Sequence, residues 1–293
     1  MRILITGAAG QLGRELSGML ASGQAEIGPI PASYAGAEVV CADASELDIT
    51  DAAAVDSFLA SGFDVVFNCA AYTNVDGCEA HESDAFAVNA TGPANLARAC
   101  EQTGAKLVHV STDYVFPGNQ PEPRVESDEV APLSAYGRTK LAGEQAVAQA
   151  CPRHFIVRTA WLYGHEGKNF VKTMMRLGNS LDTVTVVDDQ LGCPTNANDV
   201  AYQMLRIAET ENYGIYHCVN KGTCSWADFA QAIMQEAGLD CVVARCTSQE
   251  YKEAHPESAS RPAYSSLVNG HLAATIGDTM RPWHDALRSY MGK

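Results

Sequence analysis

The stretch MRILITGAAGQLGREL, residues 1–16, decides the fold of this chain. It opens with an apolar run typical of a buried strand, and residues 11–20 have the pattern of an amphipathic helix. Gly7, Gly10 and Gly13 stand around the junction. Glycines there permit a tight turn and let a pyrophosphate reach the free N–H groups of the helix N-terminus. The stretch therefore predicts a dinucleotide-binding turn, although its spacing is one residue longer than G-x-G-x-x-G.

Short apolar segments alternate with helical patterns through the first half of the chain, which predicts βαβ units and a parallel sheet. The predicted strands of this half are residues 2–6, 38–42, 64–69, 106–110 and 154–158. Its predicted helices are residues 11–20, a helix that begins at Asp51 behind an N-cap at Thr50, residues 82–102 and residues 134–150. The second half is less regular. It has predicted strands at 183–187, 215–219 and 241–244, helices at 198–210 and 226–237, and a loop at 248–262.

Composition excludes several classes of protein. The chain has 293 residues, of which 46% are hydrophobic, and a formal net charge of -15, so its surface repels the phosphate backbone of nucleic acids. No charged start precedes an apolar stretch and no apolar run approaches roughly 20 residues, so we expect no signal peptide and no membrane span. The ten cysteines form no C-x-x-C pair, which favours reduced thiols in a cytoplasmic protein over a disulfide framework or a zinc site.

An acidic residue follows the second predicted strand, where dinucleotide folds bind the adenosine ribose. Asp43 occupies this position. A carboxylate there accepts a hydrogen bond from a free 2′-hydroxyl and repels a 2′-phosphate, which favours NADH over NADPH. Asp48 and Ile49, just before the next helix, are candidates to flank the adenine. A solvated acid near a helix start is the alternative for both aspartates.

Tyr136 and Lys140 are four residues apart and share one face of a predicted helix. A tyrosine ordinarily has a pKa near 10, and a neighbouring ammonium lowers it. Tyr136 could then donate a proton to a carbonyl oxygen while a hydride reaches the carbon. Thr112 lies just beyond the fourth strand, at the carboxyl edge where α/β sheets bind ligands, and could hold the same carbonyl. An ordinary surface pair is the alternative for an isolated Y-x-x-x-K.

Together these features resemble the extended short-chain dehydrogenase/reductase superfamily, and further blocks resemble the dTDP-4-dehydrorhamnose reductase family within it. The blocks are residues 110–118 (VSTDYVFPG), 136–144 (YGRTKLAGE), 158–164 (RTAWLYG), Asn169 with Phe170, 189–195 (DQLGCPT), and Arg261 with Pro262 followed by Ser265 or Ser266 and Leu267. They come in the family's order and extend over nearly the whole chain.

The resemblance implies a fold, a reaction and a set of site residues. The implied fold is α/β: a Rossmann-type doubly wound parallel sheet with a smaller C-terminal substrate-binding lobe. We expect a dinucleotide-binding domain at 1–160, with core strands continuing to about 195, and a lobe at 161–293 interleaved with it.

The implied reaction reduces the C4 ketone of dTDP-4-dehydro-L-rhamnose with NADH or NADPH, which feeds rhamnose into cell-surface polysaccharide. The implied catalytic residues are Thr112, Tyr136 and Lys140; cofactor contacts come from Gly7, Gly10, Gln11, Leu12, Gly13, Asp43, Asp48, Ile49, Ala70, Ala71, Tyr72, Tyr136 and Lys140; substrate contacts come from Thr112, Asp113, Trp161 and Arg261.

Some of these assignments have alternatives. Trp161 could be a core aromatic, Asp113 a turn cap and Arg261 a surface cation. Some family members form a magnesium-bridged dimer through glutamates; Glu15 matches one of these, but residues 196–199 lack another. Bound Mg²⁺ is therefore disfavoured, and a monomer or a homodimer is expected.

The alternatives for function are a reductase, epimerase or dehydratase of another nucleotide-linked ketosugar, or a non-catalytic regulatory subunit. The absence of an acid pair beside Thr112 argues against a dehydratase, and the presence of Thr112, Tyr136 and Lys140 against a regulatory subunit.

Overall fold

A six-stranded parallel sheet organises the chain. The computed structural model describes residues 1–256, 258–259 and 261–293. Its strands are β1 (Arg2–Thr6), β2 (Gln24–Ala25), β3 (Gly28–Pro29), β4 (Glu38–Ala42), β5 (Val65–Asn68), β6 (Lys106–Thr112), β7 (His154–Thr159), β8 (Leu162–Tyr163), β9 (Thr183–Val187), β10 (Leu191–Gly192), β11 (Thr195–Asn196), β12 (Gly214–His217), β13 (Cys224–Ser225) and β14 (Val242–Cys246).

The helices connect these strands. They are α1 (Gln11–Ser22), α2 (Ala52–Leu59), α3 (Val75–Ala80), α4 (Glu82–Phe86), α5 (Gly92–Thr103), α6 (Ala135–Ala150), α7 (Phe170–Gly178), α8 (Ala197–Ala208), α9 (Trp226–Ala237), α10 (Ser248–Ala254), α11 (Gly270–Thr275) and α12 (Trp283–Tyr290). Within the described ranges no helix is both long enough and apolar enough to cross a membrane.

The large sheet has the order β12-β7-β6-β5-β1-β4, with every neighbouring pair parallel. The predicted Rossmann-type doubly wound sheet is thus confirmed. The chain leaves β1 for β4 on one side and then crosses to β5 on the other side. A crevice opens at such a switch point, beyond the carboxyl ends of the strands, and this is where open α/β sheets bind ligands.

Helices cover both faces of the sheet. One apolar cluster joins α1 and α8 to β1, β5, β6, β7 and β12, and a second cluster joins α2, α5 and the end of α6 to the opposite face. Burial on both faces explains why strand segments such as residues 65–67 are continuously apolar rather than alternating. Since β12 comes from the second half of the chain, that half contributes to the sheet. The domain division at residue 160 stays a prediction.

The remaining second half forms a smaller lobe. Strands β9 and β14 pair in parallel, β10 pairs antiparallel with β13, and α7, α9 and α12 pack around them. A third apolar cluster fills this lobe and contains Tyr163, Phe229 and Trp283.

Three sequence predictions need correction. The N-cap of α2 is Asp51, whose carboxylate accepts from the N–H groups of Ala53 and Ala54, and not Thr50. The predicted helix 82–102 is helical throughout but contains a π-helical segment, Ala87–Thr91, between α4 and α5. The predicted loop 248–262 begins with α10, which a capping box between Thr247 and Glu250 starts. Residues 257 and 260 of that loop lie outside the described residues.

The first turn generates a stability prediction. A Cβ added at Gly13 would lie 2.4 Å from the Gly7 carbonyl oxygen, whereas one added at Gly18 in the same helix meets nothing within 4 Å. We expect Gly13→Ala to lower the free energy of unfolding by about 1–3 kcal/mol, because α1 must shift. Gly18→Ala should raise it by about 0.5–1 kcal/mol. Urea unfolding of both variants measures the difference, and equal effects would contradict the tight packing of the turn.

Candidate active site

A cleft opens at the carboxyl ends of β1, β5, β6 and β7 and runs toward the lobe. It is lined by Gly10, Gln11, Leu12, Cys69, Ala71, Thr73, Val75, Val110, Ser111, Thr112, Asp113, Tyr114, Tyr136, Lys140, Thr159, Ala160, Trp161, Leu162, Gly167, Lys168 and Trp226. The structure therefore brings together most of the residues that the sequence predicts for catalysis, for the pyrophosphate turn and for the sugar.

The glycine turn closes one end of the cleft. Gly7 has a φ of +63°, and a Cβ there would lie 2.6 Å from the backbone N of Ala70. The turn therefore packs directly against the segment that follows β5. Gly10 is the N-cap of α1, and no side chain accepts a hydrogen bond at this cap. The first N–H groups of the helix therefore face the cleft without a side-chain cap. This arrangement fits the diphosphate of a dinucleotide, which the helix N-terminus attracts.

The Gln11 side chain connects this turn to the other side of the cleft. Its amide nitrogen donates to the Leu162 carbonyl oxygen at 3.1 Å, and its amide oxygen accepts from the Asn169 side chain at 3.0 Å. Gln11 therefore has a structural partner on the lobe side in addition to its predicted place beside the cofactor.

The predicted adenosine contacts differ in placement. The Ala8 N–H donates to the Ala42 carbonyl at 3.3 Å, which holds the glycine turn against the end of β4 and places half-buried Asp43 beside it. Asp48 is exposed and accepts from the backbone and hydroxyl of Thr50 at 2.9 and 2.7 Å. Ile49 is buried in the core. None of Asp43, Asp48 and Ile49 lines the cleft, and their contacts with the adenosine stay predictions.

Lys140 reaches across the floor of the cleft from α6. Its ammonium donates to the Val110 carbonyl oxygen on β6 at 2.7 Å, and the residue is only 2% exposed. Burial lowers its pKa to about 8, while Glu144 and Cys69 act to raise it. Lys140 is thus a desolvated cation one helical turn from Tyr136.

Tyr136 presents its phenol to the same space and packs edge-on against Tyr114, with ring centroids 5.5 Å apart. Burial raises the pKa of Tyr136 and the Asp113 carboxyl raises it further, whereas a hydrogen bond with Thr112 lowers it. The lowering of this pKa by Lys140 that the sequence predicts is therefore not found in this state of the protein; the phenol keeps its proton at neutral pH and can donate it.

Thr112 and Asp113 stand where β6 ends in a short 3₁₀ turn. The Thr112 hydroxyl donates to Asp113 Oδ1 at 2.9 Å and accepts from the Tyr114 N–H at 3.2 Å. Asp113 is 3% exposed, and its Oδ2 has no hydrogen-bond partner in the part of the chain that the structure describes. Burial raises the pKa of Asp113 to about 7, against the opposing effects of Thr112, of Ser265 and of the backbone N–H groups of Asp113 and Tyr114.

Asn89, on the π-helical segment, is a positioning residue that the sequence analysis misses. Its amide oxygen accepts from the Tyr72 N–H at 2.8 Å, and its amide nitrogen donates to the Tyr72 carbonyl and the Thr139 hydroxyl, both at 3.1 Å. It thereby holds the predicted cofactor loop of Ala70, Ala71 and Tyr72 against the helix of Tyr136 and Lys140. A short sequence pattern does not reveal this role, because the partners are 17 and 50 residues away.

Two further hydroxyl groups border the cleft. Ser111 Oγ and Thr159 Oγ1 are buried at its wall and have no partner among the described residues. Buried polar groups are nearly always hydrogen-bonded, so unpaired ones beside a cleft indicate a site for polar ligand atoms. Both follow apolar strand segments, which is the signal that could have identified them.

Trp161 lies at the lobe side of the cleft. Its φ is +46°, a conformation that bulky side chains rarely adopt, and its ring stacks on Trp226 with centroids 3.6 Å apart. Gly192 accommodates the ring, since a Cβ there would lie 2.4 Å from it. Strained backbone of this kind is characteristic of functional sites. Of the two alternatives for Trp161, a residue of the cleft and an aromatic of the core, the geometry favours the cleft.

Arg261 lies at the rim and does not line the cleft. Its guanidinium is 3.5 Å from the Asp76 carboxylate, and its positive charge acts to lower the pKa of Tyr114, which burial raises. Its contact with the substrate diphosphate stays a prediction.

Glu15, the candidate for a bridging metal, has hydrogen-bond partners within the chain: its carboxylate accepts from the His165 N–H at 2.8 Å and from the Asn198 amide at 3.1 Å. Over the described residues, no group of three or more His, Cys, Asp or Glu is placed to hold a metal.

A dinucleotide turn at the switch point of a parallel sheet, with Thr112, Tyr136 and Lys140 beside it, defines the Rossmann-type fold of the extended short-chain dehydrogenases/reductases. The family described as the RmlD substrate binding domain matches residues 1–293. The chain therefore belongs to this family.

Individual relatives agree with the family assignment. The dTDP-4-dehydrorhamnose reductase of Mycobacterium tuberculosis is 44% identical over 292 residues, which are 98% of this chain and 91% of that protein. The dTDP-4-dehydrorhamnose reductase structure from Clostridium acetobutylicum is similar with a TM-score of 0.92 and 47% identity, over 100% of this chain and 99% of that one. The Bacillus anthracis dTDP-4-dehydrorhamnose reductase, solved in complex with NADP, has a TM-score of 0.90 and 38% identity over 99% and 98% of the two chains.

The buried acid makes stability depend on pH. The pKa of Asp113 is about 7 in the folded protein, against about 3.9 in the unfolded chain. Between these values the folded state keeps a proton that the unfolded state has lost, so stability falls as pH rises from about 4 to about 7. We expect Asp113→Asn to abolish this fall and to gain up to a few kcal/mol on wild type between about pH 4 and pH 8.

Urea unfolding at several pH values measures this effect. Asp84→Asn, which removes an exposed acid, is the matched control. A constant difference between Asp113→Asn and wild type over the whole range would show that Asp113 is ionised at every pH tested.

Proposed function

We propose that the chain catalyses the NAD(P)H-dependent reduction of the C4 ketone of dTDP-4-dehydro-L-rhamnose to dTDP-L-rhamnose, the last step of dTDP-rhamnose biosynthesis. The observation that carries the proposal is the convergence of Thr112, Tyr136 and Lys140 on a cleft that begins at the dinucleotide turn. The names of the relatives support this substrate. The absence of a C-x-x-C pair among the ten cysteines supports the cytoplasm as its location.

Tyr136 is the proton donor in this proposal. The glycine turn would hold a nicotinamide cofactor, and that group, when bound, would supply the hydride. Tyr136 gives its phenolic proton to the carbonyl oxygen, so that negative charge does not accumulate there. The Thr112 hydroxyl, held between Asp113 and the Tyr114 N–H, orients the same oxygen. Lys140 stabilises the phenolate through its positive charge, which acts strongly because the ammonium is desolvated.

Trp161, Asp113 and Arg261 make further substrate contacts in this proposal. Trp161 offers a flat apolar surface to the 6-deoxyhexose, and its stacking on Trp226 fixes the ring in place. Asp113 accepts or donates a hydrogen bond to a sugar hydroxyl. Arg261 has the charge and the planar geometry that bind a diphosphate, and its contact with Asp76 is long, at 3.5 Å.

Replacement of the proton donor tests the function directly. We expect Tyr136→Phe to lower kcat about 100-fold or more, because the phenolic proton is lost while the ring remains. NADH and NADPH oxidation with dTDP-4-dehydro-L-rhamnose measures this loss. Tyr114→Phe, which removes the neighbouring phenolic hydroxyl, is the control and should lose far less. Turnover by wild type only with another 4-ketosugar would replace the substrate, and cofactor binding without any turnover would favour the regulatory alternative.

Asp43 supports a preference for NADH over NADPH, since it directly follows Ala42, whose carbonyl oxygen accepts from the Ala8 N–H of the glycine turn, and the adenosine ribose is expected there. We expect Asp43→Asn to shift the ratio of kcat/KM for NADPH to that for NADH upward by about tenfold, because repulsion of a 2′-phosphate is removed. Asp48→Asn, outside the cleft, is the comparison. An unchanged ratio in Asp43→Asn would remove Asp43 from cofactor discrimination.

A further inference from the structure

We propose that Lys168 is a diphosphate-binding residue, which the lobe presents to the cleft beside the dinucleotide turn. The inference rests on the proposed function, which brings two diphosphates to this cleft, one in the nicotinamide cofactor and one in the nucleotide sugar. Lys168 lies in the short connection between β8 and α7, residues 164–169, and lines the cleft. It adds a positive charge from the lobe to the positive end of the helix that the sheet contributes.

The connection that carries Lys168 lies against the start of α1. A Cβ added at Gly167 would be 3.7 Å from Gln11 Cβ. On the other side of Lys168, the Asn169 side-chain amide donates to Gln11 Oε1 at 3.0 Å. Gln11 is the first residue of α1, and the N–H groups of this helix start are the predicted contacts of the cofactor diphosphate. Both chain neighbours of Lys168 are thus close to the anion-binding end of that helix.

Hydrogen bonds hold the path of this connection before any ligand binds. The Lys172 ammonium donates to the carbonyl oxygens of His165 and Gly167, to the second at 3.1 Å. The His165 N–H donates to the Glu15 carboxylate at 2.8 Å. The backbone that carries Lys168 is therefore preorganised, and binding of a diphosphate there requires little further ordering of the chain.

The other charged side chains of the connection already have partners. His165 Nε2 is 3.2 Å from the Glu26 carboxylate, and the Glu166 carboxylate is 3.6 Å from the Arg14 guanidinium. Lys168 is exposed and forms no hydrogen bond or ion pair with any residue that the structure describes. Its ammonium is therefore free to donate to a ligand.

The charge of the cleft differs from that of the whole chain. The formal net charge of the chain is -15, so its surface repels anions. Among the described residues that line the cleft, the lysines are Lys140 and Lys168, and the carboxyl group is that of Asp113. Lys140 is buried and donates to the Val110 carbonyl oxygen. Lys168 is thus the exposed cation of the lining, and an ammonium with three rotatable donors suits the oxygen atoms of a diphosphate.

Ligand binding tests the inference without any turnover. Wild type, Lys168→Gln and Lys293→Gln are titrated with NADH, followed by cofactor fluorescence, and with dTDP, followed by calorimetry. We expect Lys168→Gln to bind NADH about threefold to tenfold more weakly, because a charge-assisted contact with the diphosphate is lost. Lys293→Gln changes the net charge equally, at a site outside the cleft where Lys293 pairs with Glu236, and should leave both affinities unchanged.

A conservative variant and salt separate the effect of the charge from a change in loop structure. Lys168→Arg keeps the positive charge and should bind NADH within about twofold of wild type. The difference between wild type and Lys168→Gln should shrink as NaCl rises from about 0.05 M to about 0.5 M, because salt screens exposed charges.

The two ligands distinguish the two sources of a diphosphate. A weaker affinity of Lys168→Gln for NADH assigns Lys168 to the cofactor, and a weaker affinity for dTDP alone assigns it to the nucleotide sugar. Unchanged affinities for both ligands overturn the inference, as does a loss that Lys168→Arg shares or that salt does not reduce. Wild type that binds both ligands but reduces a different ketosugar refutes the proposed substrate, and these affinities still decide the role of Lys168.

Discussion

The close approach of the Gly7 backbone to Ala70 is the constraint on which the cleft depends. Any side chain at Gly7 would collide with the segment that follows β5. Because none is present, the carboxyl ends of β1 and β5 meet without a spacer, and α1 begins directly at the switch point. The positive end of that helix and the cofactor loop therefore border the same space. The side chains proposed for catalysis, on β6 and α6, lie one strand further along the same edge of the sheet.

Desolvation acts in opposite directions on the two ionisable groups near Tyr136. It lowers the pKa of Lys140 to about 8 and raises that of Asp113 to about 7. Their charged and neutral forms therefore interchange near neutral pH. Pairs of groups whose environments move their pKa values in this way are typical of sites that transfer protons. The same exclusion of water strengthens the electrostatic interaction of each charge with the reacting carbonyl group, because fewer water dipoles screen that interaction.

Sequence patterns predict the parts of this molecule that local chemistry decides. The apolar run of β1, the glycine turn and the spacing of Tyr136 and Lys140 all follow from neighbouring residues, and the sheet and the cleft agree with them. The helix α10 escapes prediction although its capping box is present, because seven residues are too few for a clear hydrophobic period. The hydrogen bonds of Asn89 with Tyr72 and Thr139 cannot be predicted from the sequence, because only tertiary packing brings these three residues together. The position of Trp161 likewise depends on tertiary packing. Its φ is positive, and its ring occupies space that a side chain at residue 192 would fill.

The two hydrogen bonds of the Gln11 amide have a mechanical consequence. They tie the first turn of α1 to the backbone at Leu162 and to Asn169, so the sheet and the lobe are coupled at the base of the cleft. A hinge opening at this point would break both bonds at once and pull on the dinucleotide turn itself. Two hydrogen bonds that cross the base of the cleft therefore oppose such an opening, and they are present before either ligand binds.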